Sequence, residues 1–351
     1  MAIPKLTKAG FKTSKRSAPT SIDFRRRAPP IMICCLLVVL TARKLTQLYN
    51  LPHGPTLLRG LAKDTNRETM PNLSSLGFKD PAPFERLSSL TWELHEYSKM
   101  SRQSSTPPAD RTRPRLLIAQ TTSDFYKPLF DIGRPLNQEY ARVHSHDFVV
   151  ARGIYLLDET KNETEASVPE SRATYNKIAL LSYALRQGKY DKLLILDSDA
   201  VIRDFDLDFA TYGPDPRVMF FGHPVEAHQP ANNWNVNIGV GLWNLHQDLL
   251  RPTWYDWYNR SMSRVYHGMT DEDQEVLHDI FREMPDESRP VRGVNNHFCG
   301  NEGALIQHFM RMNHATFAVI EESRVEIMKA AAQETMAFYR ALLDSGNNQA
   351  Q

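Results

Sequence analysis

Residues 192–202 read Lys-Leu-Leu-Ile-Leu-Asp-Ser-Asp-Ala-Val-Ile, in which four apolar residues lead directly into two carboxylates. A continuous run of leucine and isoleucine is typical of a strand that is buried on both faces, as in a parallel sheet. Because alternate residues of a strand point to the same side, Asp197 and Asp199 are predicted to face one site where the strand ends. In open α/β sheets, ligands bind at this carboxyl edge of the strands.

The chemistry of the aspartate pair indicates a cation. Two carboxylates offer hard oxygen ligands, which suit Mg²⁺ or Mn²⁺ bridging to a diphosphate. Without a cation, two buried carboxylates this close would repel and raise each other's pKa. We therefore expect a cation, a phosphate-bearing ligand and group-transfer chemistry. The alternative is a pair of strand-end aspartates that cap the next turn.

Strand-like and helix-like segments alternate before this motif. A buried strand over residues 115–122, a turn and helix over 131–142, a strand over 146–153 and a helix over 175–187 precede it. This β-α-β-α-β order is the signature of a parallel sheet with helices on its faces. We therefore predict an α/β fold with a central, mostly parallel sheet flanked by helices.

The segments after the motif continue the same pattern. Strands are predicted over residues 217–222 and 235–243, followed by short helices around residues 254–264 and 271–282. A final amphipathic helix is predicted over about residues 320–343.

Composition and charge place the chain among ordinary globular proteins. It has 351 residues, of which 41% are hydrophobic and 24% charged, with a formal net charge of +1. Residues 1–27 hold eight basic residues against the single acidic Asp23, whereas the rest of the chain is net acidic. A net-acidic body argues against general nucleic-acid binding, so no nucleic-acid partner is expected.

An uncharged, apolar run over residues 28–42 follows the basic tail. Fifteen helical residues span roughly 22 Å, which is short for a membrane, but flanking basic side chains can extend their charges outward. The positive-inside rule then places the tail in the cytosol and the body in the lumen. We predict a single-pass type II signal anchor over residues 28–48, and its shortness favours the Golgi apparatus membrane. A cleaved signal peptide and an organelle presequence stay open.

The remaining chain divides into a stem over residues 49–113, a catalytic domain over 114–319 and a C-terminal helix and tail over 320–351. Prolines punctuate the stem, and its end is rich in Ser, Thr, Pro and Arg. Residues at helical spacing within the stem are Leu87, Leu90, Leu94 and Tyr97. They predict a helix that either forms a homodimer through the stem or lies back on the catalytic domain.

Short motifs then follow one another in a set order. They are Asn137 with Tyr140-Ala141, Lys177, Asp197-Ser198-Asp199-Ala200, Asn237-Ile238-Gly239 and Asp273-Gln274. In this order and strand context, the chain resembles nucleotide-sugar glycosyltransferases of the GT-A fold. Within these, it is most similar to the Golgi galactosyl-, mannosyl- and xylosyltransferases of the fungal α-galactosyltransferase and plant xyloglucan xylosyltransferase kind. The resemblance covers roughly residues 114–312.

Two segments depart from that family's pattern. The family usually follows Asn-x-Gly with an aliphatic-Arg-Asn segment, whereas residues 240–244 read Val-Gly-Leu-Trp-Asn. The family's His-Phe-Ala-Gly appears here as His-Phe-Cys-Gly over residues 297–300. The donor sugar and the acceptor therefore stay open.

The resemblance implies a metal site and a donor site. Asp197 and Asp199 would hold Mn²⁺ or Mg²⁺, with His297 as the third ligand and His308 in reserve. A hydrogen-bonded loop histidine is the alternative for His297. The residues expected to contact the nucleotide-sugar are Thr121, Thr122, Arg142, Lys177, Ser198, Asn235, Asn237 and Gly239. Turn chemistry for the threonines and solvated helix faces for Arg142 and Lys177 are the alternatives.

The resemblance also assigns the acceptor or reaction centre to Asp273 and Gln274. Simple capping of a helix after Thr270 is the alternative. Trp234, which lies among asparagines, is a candidate for stacking on an acceptor sugar.

Together these features predict an enzyme: a metal-dependent glycosyltransferase of the secretory pathway. It would move a hexose or pentose from a UDP- or GDP-sugar to a glycan or glycoprotein acceptor. The family implies retention at the anomeric carbon, whereas an inverting enzyme would need a carboxylate such as Asp273 as general base. Two other interpretations stay open: a haloacid-dehalogenase-like phosphatase with Asp197 as nucleophile, and a non-catalytic lumenal module.

Overall fold

The computed structural model of the chain describes residues 85–100, 113–213, 215–224, 234–268, 273–286, 289–293, 298–310 and 317–349. All of them belong to one compact unit, Gly77–Gln351. The predicted tail, the anchor over residues 28–48 and most of the stem lie outside the described residues and stay predictions. Among the helices that the structure describes, none is both long enough and apolar enough to cross a membrane.

The described residues contain ten strands and six α-helices. The strands are β1 Thr91–Glu96, β2 Leu116–Thr122, β3 Asp147–Arg152, β4 Lys192–Leu196, β5 Ala200–Ile202, β6 Phe220–Pro224, β7 Val236–Asn244, β8 Val291–Gly293, β9 Cys299–Gly300 and β10 Ile306–His308. The helices are α1 Tyr97–Met100, α2 Lys127–Val143, α3 Asn176–Gln187, α4 Leu250–Tyr266, α5 Asp273–Glu283 and α6 Phe317–Gln349. Short 3-10 segments are Arg86–Ser89, Glu159–Lys161, Glu165–Ser167 and Glu170–Tyr175.

Seven strands form the central sheet in the order β1-β3-β2-β4-β7-β6-β8. Strands β3, β2 and β4 are parallel neighbours, whereas β1 and β7 run antiparallel to the strands beside them. Strand β6 is antiparallel to β7 and parallel to β8, so five of the seven strands run in one direction. The structure therefore confirms a mixed α/β fold with a central sheet.

Helices cover both faces of the sheet because its inner strands are apolar on both sides. Along β4, Leu193 and Ile195 belong to the core cluster shared with α3, α4 and α5. Leu194 and Leu196 belong to the cluster shared with α2 and α6. Fully burying one such leucine contributes roughly 1.5–3 kcal/mol. This burial on two faces fixes β4, and with it the turn that follows.

A smaller sheet of β5, β10 and β9 begins where the chain leaves β4. Strand β10 pairs antiparallel with β5, and this register places His308 directly opposite Ala200. Strand β9 runs parallel to β10 on its other side. The small sheet therefore brings the end of β10 to the edge of the central sheet, next to the aspartate motif.

The helix predicted through Leu87, Leu90, Leu94 and Tyr97 is wrong. Its first part is a 3-10 turn, and Thr91–Glu96 forms the edge strand β1, antiparallel to β3. The main-chain groups along the edge of β3 need partners, and pairing with β1 supplies them. This long-range pairing outweighs the local helical spacing. Part of the predicted stem is therefore a strand of the central sheet.

Candidate active site

The two aspartates lie in the turn that joins β4 to β5. Strand β4 ends just before Asp197, and β5 begins just after Asp199. The Asp197 N–H donates to Gly239 O at 2.7 Å, and the Phe309 N–H donates to Asp199 O at 2.9 Å. The carboxylates therefore converge because the turn is held between β7 and β10. The prediction that they alternate along one strand is wrong, although they do share one site.

His308 brings an imidazole to the two carboxylates. Its Nε2 lies 3.2 Å from Asp199 Oδ1 and 3.8 Å from Asp197 Oδ2. One ligand atom from each of the three residues lies within 4.8 Å of the others. Carboxylate oxygens and an imidazole nitrogen are an acceptable ligand set for Mn²⁺. His297, which was predicted as the third ligand, lies outside the described residues.

Gly239 lies directly against two of these three side chains, Asp197 and His308. A Cβ at this position would come closer than 3.0 Å to His308 Cε1 and to Asp197 Oδ2, which real Cβ atoms essentially never do. Glycine is therefore required here by close approach. The close approach at Gly239 lets Asp197 and His308 complete, with Asp199, a ligand set that suits a small divalent cation.

Lys177 lies behind the carboxylates. Its side chain is only 4% exposed, and its Nζ lies 2.9 Å from Asp197 Oδ1 and 3.3 Å from Asp273 Oδ2. Burial alone would lower the pKa of Lys177, but the two carboxylates outweigh it and raise the pKa above the usual lysine value. The structure therefore excludes the alternative of a solvated helix face for Lys177, whose charge pairs with Asp197 and Asp273. Its predicted contact with phosphate stays a prediction.

Asp273 and Gln274, predicted at the reaction centre, begin helix α5 as the structure describes it. Asp273 is buried, and this burial raises the pKa of its carboxyl group despite the charge of Lys177. The side-chain oxygen of Gln274 accepts a hydrogen bond from Ile238 N at 3.1 Å. In this arrangement Asp273 orients Lys177, and Gln274 holds strand β7 beside the aspartate turn.

Arg324 of α6 supplies a second buried cation. Its Nη2 pairs with Asp199 Oδ2, and its Nε donates to Phe309 O at 2.6 Å. Burial alone would raise the pKa of Asp199, but His308 and Arg324 outweigh it and hold the pKa well below the usual range. Asp199 is therefore ionised at neutral pH.

The pKa values of Asp197 and His308 are both raised, but by different causes. Burial raises the pKa of Asp197, Lys177 opposes this increase and the charge of Asp199 adds to it. Burial alone would lower the pKa of His308, but Asp199 outweighs it and raises the pKa. The two carboxylates are thus unequal, and a divalent cation between them would favour the ionised form of both.

Two buried asparagines with no predicted role hold the surrounding backbone. Asn137 donates from Nδ2 to Ala200 O at 2.9 Å, and its Oδ1 accepts from Ile202 N at 2.9 Å. Asn176 donates from Nδ2 to Thr121 Oγ1 at 2.9 Å. Asn137 belongs to a motif that the sequence had already indicated, but only the fold shows what it binds.

Arg324 was missed altogether, although the sequence contains a weak signal for it. Within residues 322–341 of the final helix, the buried positions are spaced by three or four residues and comprise Arg324, Met328, Ala331, Thr335 and Tyr339. A charged residue on the buried stripe of an amphipathic helix requires a partner. That pattern could have marked Arg324 as an interaction site, though not identified Asp199 as its partner.

A cleft of about 200 Å³ opens beside the carboxylates. The predicted donor residues Thr121, Thr122 and Ser198 line it together with Arg324. The Ser198 hydroxyl donates to Thr121 O at 2.6 Å, which ties the aspartate turn to the end of β2. The fold therefore brings residues from the ends of β2 and β4 to one cleft.

A larger cavity of about 450 Å³ lies elsewhere, against α6. It is lined by Arg203, Gln307 and Glu334 among others, and Arg203 pairs with Glu334 at 2.7 Å. Its lining residues include no histidine. The smaller cleft is therefore the better candidate for the active site, even though it has less volume.

Other predicted residues are not brought to the cleft. Arg142 is exposed and pairs with Glu139 at 2.6 Å, so the structure gives no support to its predicted phosphate contact. The Oδ1 of Asn237 accepts from Gly239 N at 2.8 Å, which shapes β7. Asn235 is half-buried just before β7. The guanidinium group of Arg282 lies over the Trp234 ring, 5.4 Å from its centroid, on a face that the predicted stacking with a sugar would need.

A second cluster of His144, His146 and Asp208 lies beside α2 and β3. One ligand atom from each lies within 4.8 Å of the others. However, His146 Nε2 donates to Asp208 Oδ1 at 2.7 Å, and Arg113 donates to Asp208 Oδ2 at 2.6 Å. His144 Nε2 donates to a main-chain carbonyl. These groups satisfy one another, so we interpret the cluster as structural.

This cluster predicts acid sensitivity. Burial lowers the pKa of His146, although Asp208 partly opposes this. The unfolded chain therefore binds a proton at His146 more readily than the folded one, and stability is lost as pH falls through the unfolded value of about 6.5. The variant His146→Asn keeps a donor for Asp208 but cannot titrate. Its unfolding free energy, from urea titrations at pH 7, 6 and 5, should fall less than that of the wild type, and an equal fall would contradict the assignment.

No family model matches this chain, and no curated protein matches it. Solved structures do resemble it. A glycosyltransferase involved in the glycosylation of the major capsid of PBCV-1 is 15% identical, with a TM-score of 0.43 over 62% of this chain and 100% of that one. The glycosyltransferase GlyE of Streptococcus pneumoniae is 12% identical, with a TM-score of 0.37 over 64% of each chain.

The galactosyltransferase LgtC, solved with donor and acceptor sugar analogues, is 13% identical, with a TM-score of 0.34 over 62% of this chain and 95% of that one. All three are glycosyltransferases by description, which is the class that the sequence motifs resemble. At TM-scores below 0.5 these likenesses carry no argument about activity, which has to come from the chain's own residues.

Proposed function

We propose that this chain is a metal-dependent glycosyltransferase, which moves a hexose or pentose from a UDP- or GDP-sugar to a hydroxyl group of a glycan or glycoprotein. The observation that carries the proposal is the convergence of Asp197, Asp199 and His308, whose ligand atoms lie within 4.8 Å of one another, two of them closely packed against Gly239. This ligand set sits at the carboxyl edge of an α/β sheet, where phosphate-bearing ligands bind.

The charges around the cleft suit a diphosphate. Asp197, Asp199 and Asp273 form a carboxylate cluster, and the buried cations Lys177 and Arg324 pair with it. Arg324 lines the cleft, and a guanidinium group can bind two phosphate oxygens at once. Thr121, Thr122 and Ser198 add main-chain and hydroxyl groups at the end of β2 and β4, where they would contact the nucleotide.

Asp197, Asp199 and His308 would hold Mn²⁺ or Mg²⁺, which would stabilise the charge of the departing diphosphate as a Lewis acid. Lys177 keeps Asp197 oriented from behind, and Asp273 keeps Lys177 in place. The Gln274 amide, through Ile238, fixes the strand that carries Gly239. These residues thus position the reacting phosphate, and none of them has to form a covalent bond.

The transfer itself would proceed with retention. The bond between the anomeric carbon and the diphosphate oxygen breaks, and a bond to the acceptor oxygen forms on the same face of the sugar. The departing diphosphate accepts the proton of the acceptor hydroxyl, so no protein base is needed. An inverting reaction would need a carboxylate at the acceptor, and Asp273 is poorly suited because it is buried against Lys177.

The location that we propose is the Golgi membrane. Support comes from the sequence alone: the basic tail over residues 1–27 and the apolar run over 28–42 are typical of a type II anchor. The acceptor would then be a lumenal glycan or glycoprotein. Association of two chains through the stem stays a proposal on the same basis.

The experiment uses the purified full chain in detergent with a panel of UDP- and GDP-sugars. Donor hydrolysis and thermal stabilisation are measured with added Mn²⁺ and with EDTA. We expect one sugar nucleotide to give metal-dependent hydrolysis and stabilisation, and we expect Asp199→Ala to lose both. Asp215→Ala is the matched control, because Asp215 pairs with Arg217 on the surface.

Two other outcomes would contradict the proposal. Hydrolysis of a generic aryl phosphate without a response to any sugar nucleotide would favour the phosphatase with Asp197 as nucleophile. Silence in both assays from a folded protein would favour a non-catalytic module.

A further inference from the structure

Arg324 contacts Asp199 from helix α6, an element that the sequence had not connected with the site. Its guanidinium pairs with Asp199 through Nη2 and is anchored to Phe309 O through Nε at 2.6 Å. Its side chain is only 7% exposed, yet it lines the cleft. A buried guanidinium group at the cleft therefore already pairs with Asp199 Oδ2.

With Arg324 in this position, two cations offset two of the three negative charges of the cluster. Asp197, Asp199 and Asp273 face the cations Lys177 and Arg324, with His308 between the first two carboxylates. A divalent cation that bound alone would add two positive charges next to Arg324 in a buried site. Repulsion between like charges is strong where little water screens them. The free cation should therefore bind weakly while Arg324 is present.

A diphosphate that binds together with the cation would reduce this repulsion. The two phosphates of a nucleotide-sugar bring negative charge together with the cation, so that the pair enters the site nearly neutral. The planar guanidinium group has several N–H donors, and these match phosphate oxygens as well as they match a carboxylate. Arg324 can then exchange Asp199 for the diphosphate without losing a charged partner.

We propose that Arg324 is the resident counter-ion of Asp199, which opposes binding of the bare metal ion and transfers to the diphosphate when metal and donor bind together. The inference rests on the proposed function, since it takes a nucleoside diphosphate as the ligand. It makes Arg324 a positioning residue that couples metal binding to donor binding.

The experiment compares the full-length wild type with Arg324→Met and Arg324→Lys. Binding of Mn²⁺ alone is measured by titration calorimetry, and binding of UDP and of GDP is measured in saturating Mn²⁺. For Arg324→Met we expect about tenfold tighter binding of Mn²⁺ alone and about tenfold weaker binding of the nucleotide, the size of one charged hydrogen bond. Arg324→Lys keeps the positive charge but loses the planar group that can donate two parallel hydrogen bonds. It should therefore weaken nucleotide binding and leave the binding of Mn²⁺ alone unchanged.

Arg203→Met is the matched control. Arg203 also links the small sheet to α6, through Glu334 at 2.7 Å, but it does not touch the carboxylate cluster. It should leave both affinities unchanged. Thermal unfolding of each variant tests whether it is folded.

The opposite signs of the two changes separate this role from a structural one, because a damaged site would bind both ligands less well. Unchanged or weaker binding of Mn²⁺ alone by folded Arg324→Met overturns the inference. If the wild type binds Mn²⁺ but no nucleotide, the proposed function fails, and the counter-ion role toward the bare metal ion is still decided by the Mn²⁺ titrations.

Discussion

Replacing Gly239 with alanine is expected to abolish the proposed Mn²⁺-dependent transfer, with a loss of at least about 1000-fold in activity. The added Cβ would come closer than 3.0 Å to His308 Cε1 and Asp197 Oδ2, so it would displace two of the three candidate ligand side chains. Lewis-acid stabilisation by a bound cation is worth several kcal/mol, and each 1.36 kcal/mol corresponds to about tenfold in rate. The measurements are initial rates of donor turnover and calorimetric titration with Mn²⁺.

Gly241→Ala is the control that separates the site from the fold. Gly241 lies two residues further along the same strand, and a Cβ there would collide with the Phe220 ring in the core instead of the metal-ligand set. Overpacking of this kind typically costs about 1–3 kcal/mol of stability. Gly241→Ala should therefore unfold at a lower temperature than the wild type, yet bind Mn²⁺ normally below that temperature. Normal Mn²⁺ binding by Gly239→Ala would show that the cation does not sit between these groups.

The inner strands could be predicted because each carries its own signal. Strands β2 and β4 are buried on both faces, so their sequences are continuous apolar runs that need no knowledge of their neighbours. Edge strand β1 has no such signal. Its residues are half-buried at most, and it exists because β3 offers unpaired main-chain groups along one edge. A partner far away in the chain decides the structure of such a segment, and the sequence of the segment alone does not contain that partner.

The same distinction applies to the site. Asp197 and Asp199 were predicted because they directly follow a strand whose position the pattern defines. His308 was only a reserve candidate, because its place depends on the register between β10 and β5. Arg324 could not be placed, since its contact with Asp199 depends on how α6 packs against α2. Sequence therefore located the two aspartates, while tertiary packing supplied the groups that offset their charge.

The other large effect concerns Lys177. Lys177→Met is expected to destabilise the metal-free protein by about 3–5 kcal/mol, the usual cost of removing one partner from a buried ion pair. Methionine fills a similar volume, so the loss would come from leaving Asp197 and Asp273 without their shared cation. The measurement is urea unfolding in EDTA. Lys329→Met is the control, because Lys329 pairs with Glu326 in solvent and should change stability by no more than about 0.5 kcal/mol.

The pH dependence of this effect has a definite sign. Burial already raises the pKa values of Asp197 and Asp273, and removing Lys177, which opposes both increases, would raise them further. The folded variant would then bind protons more tightly than its unfolded chain, so its stability should fall as pH rises through the carboxyl pKa values. The loss of unfolding free energy relative to the wild type should therefore be smaller at pH 5 than at pH 8.

The double variant Lys177→Met/Asp273→Asn should recover part of this lost unfolding free energy, since it removes one of the two unpaired charges. A deficit that is independent of pH and of Asp273 would mean that Lys177 contributes by packing and not by charge.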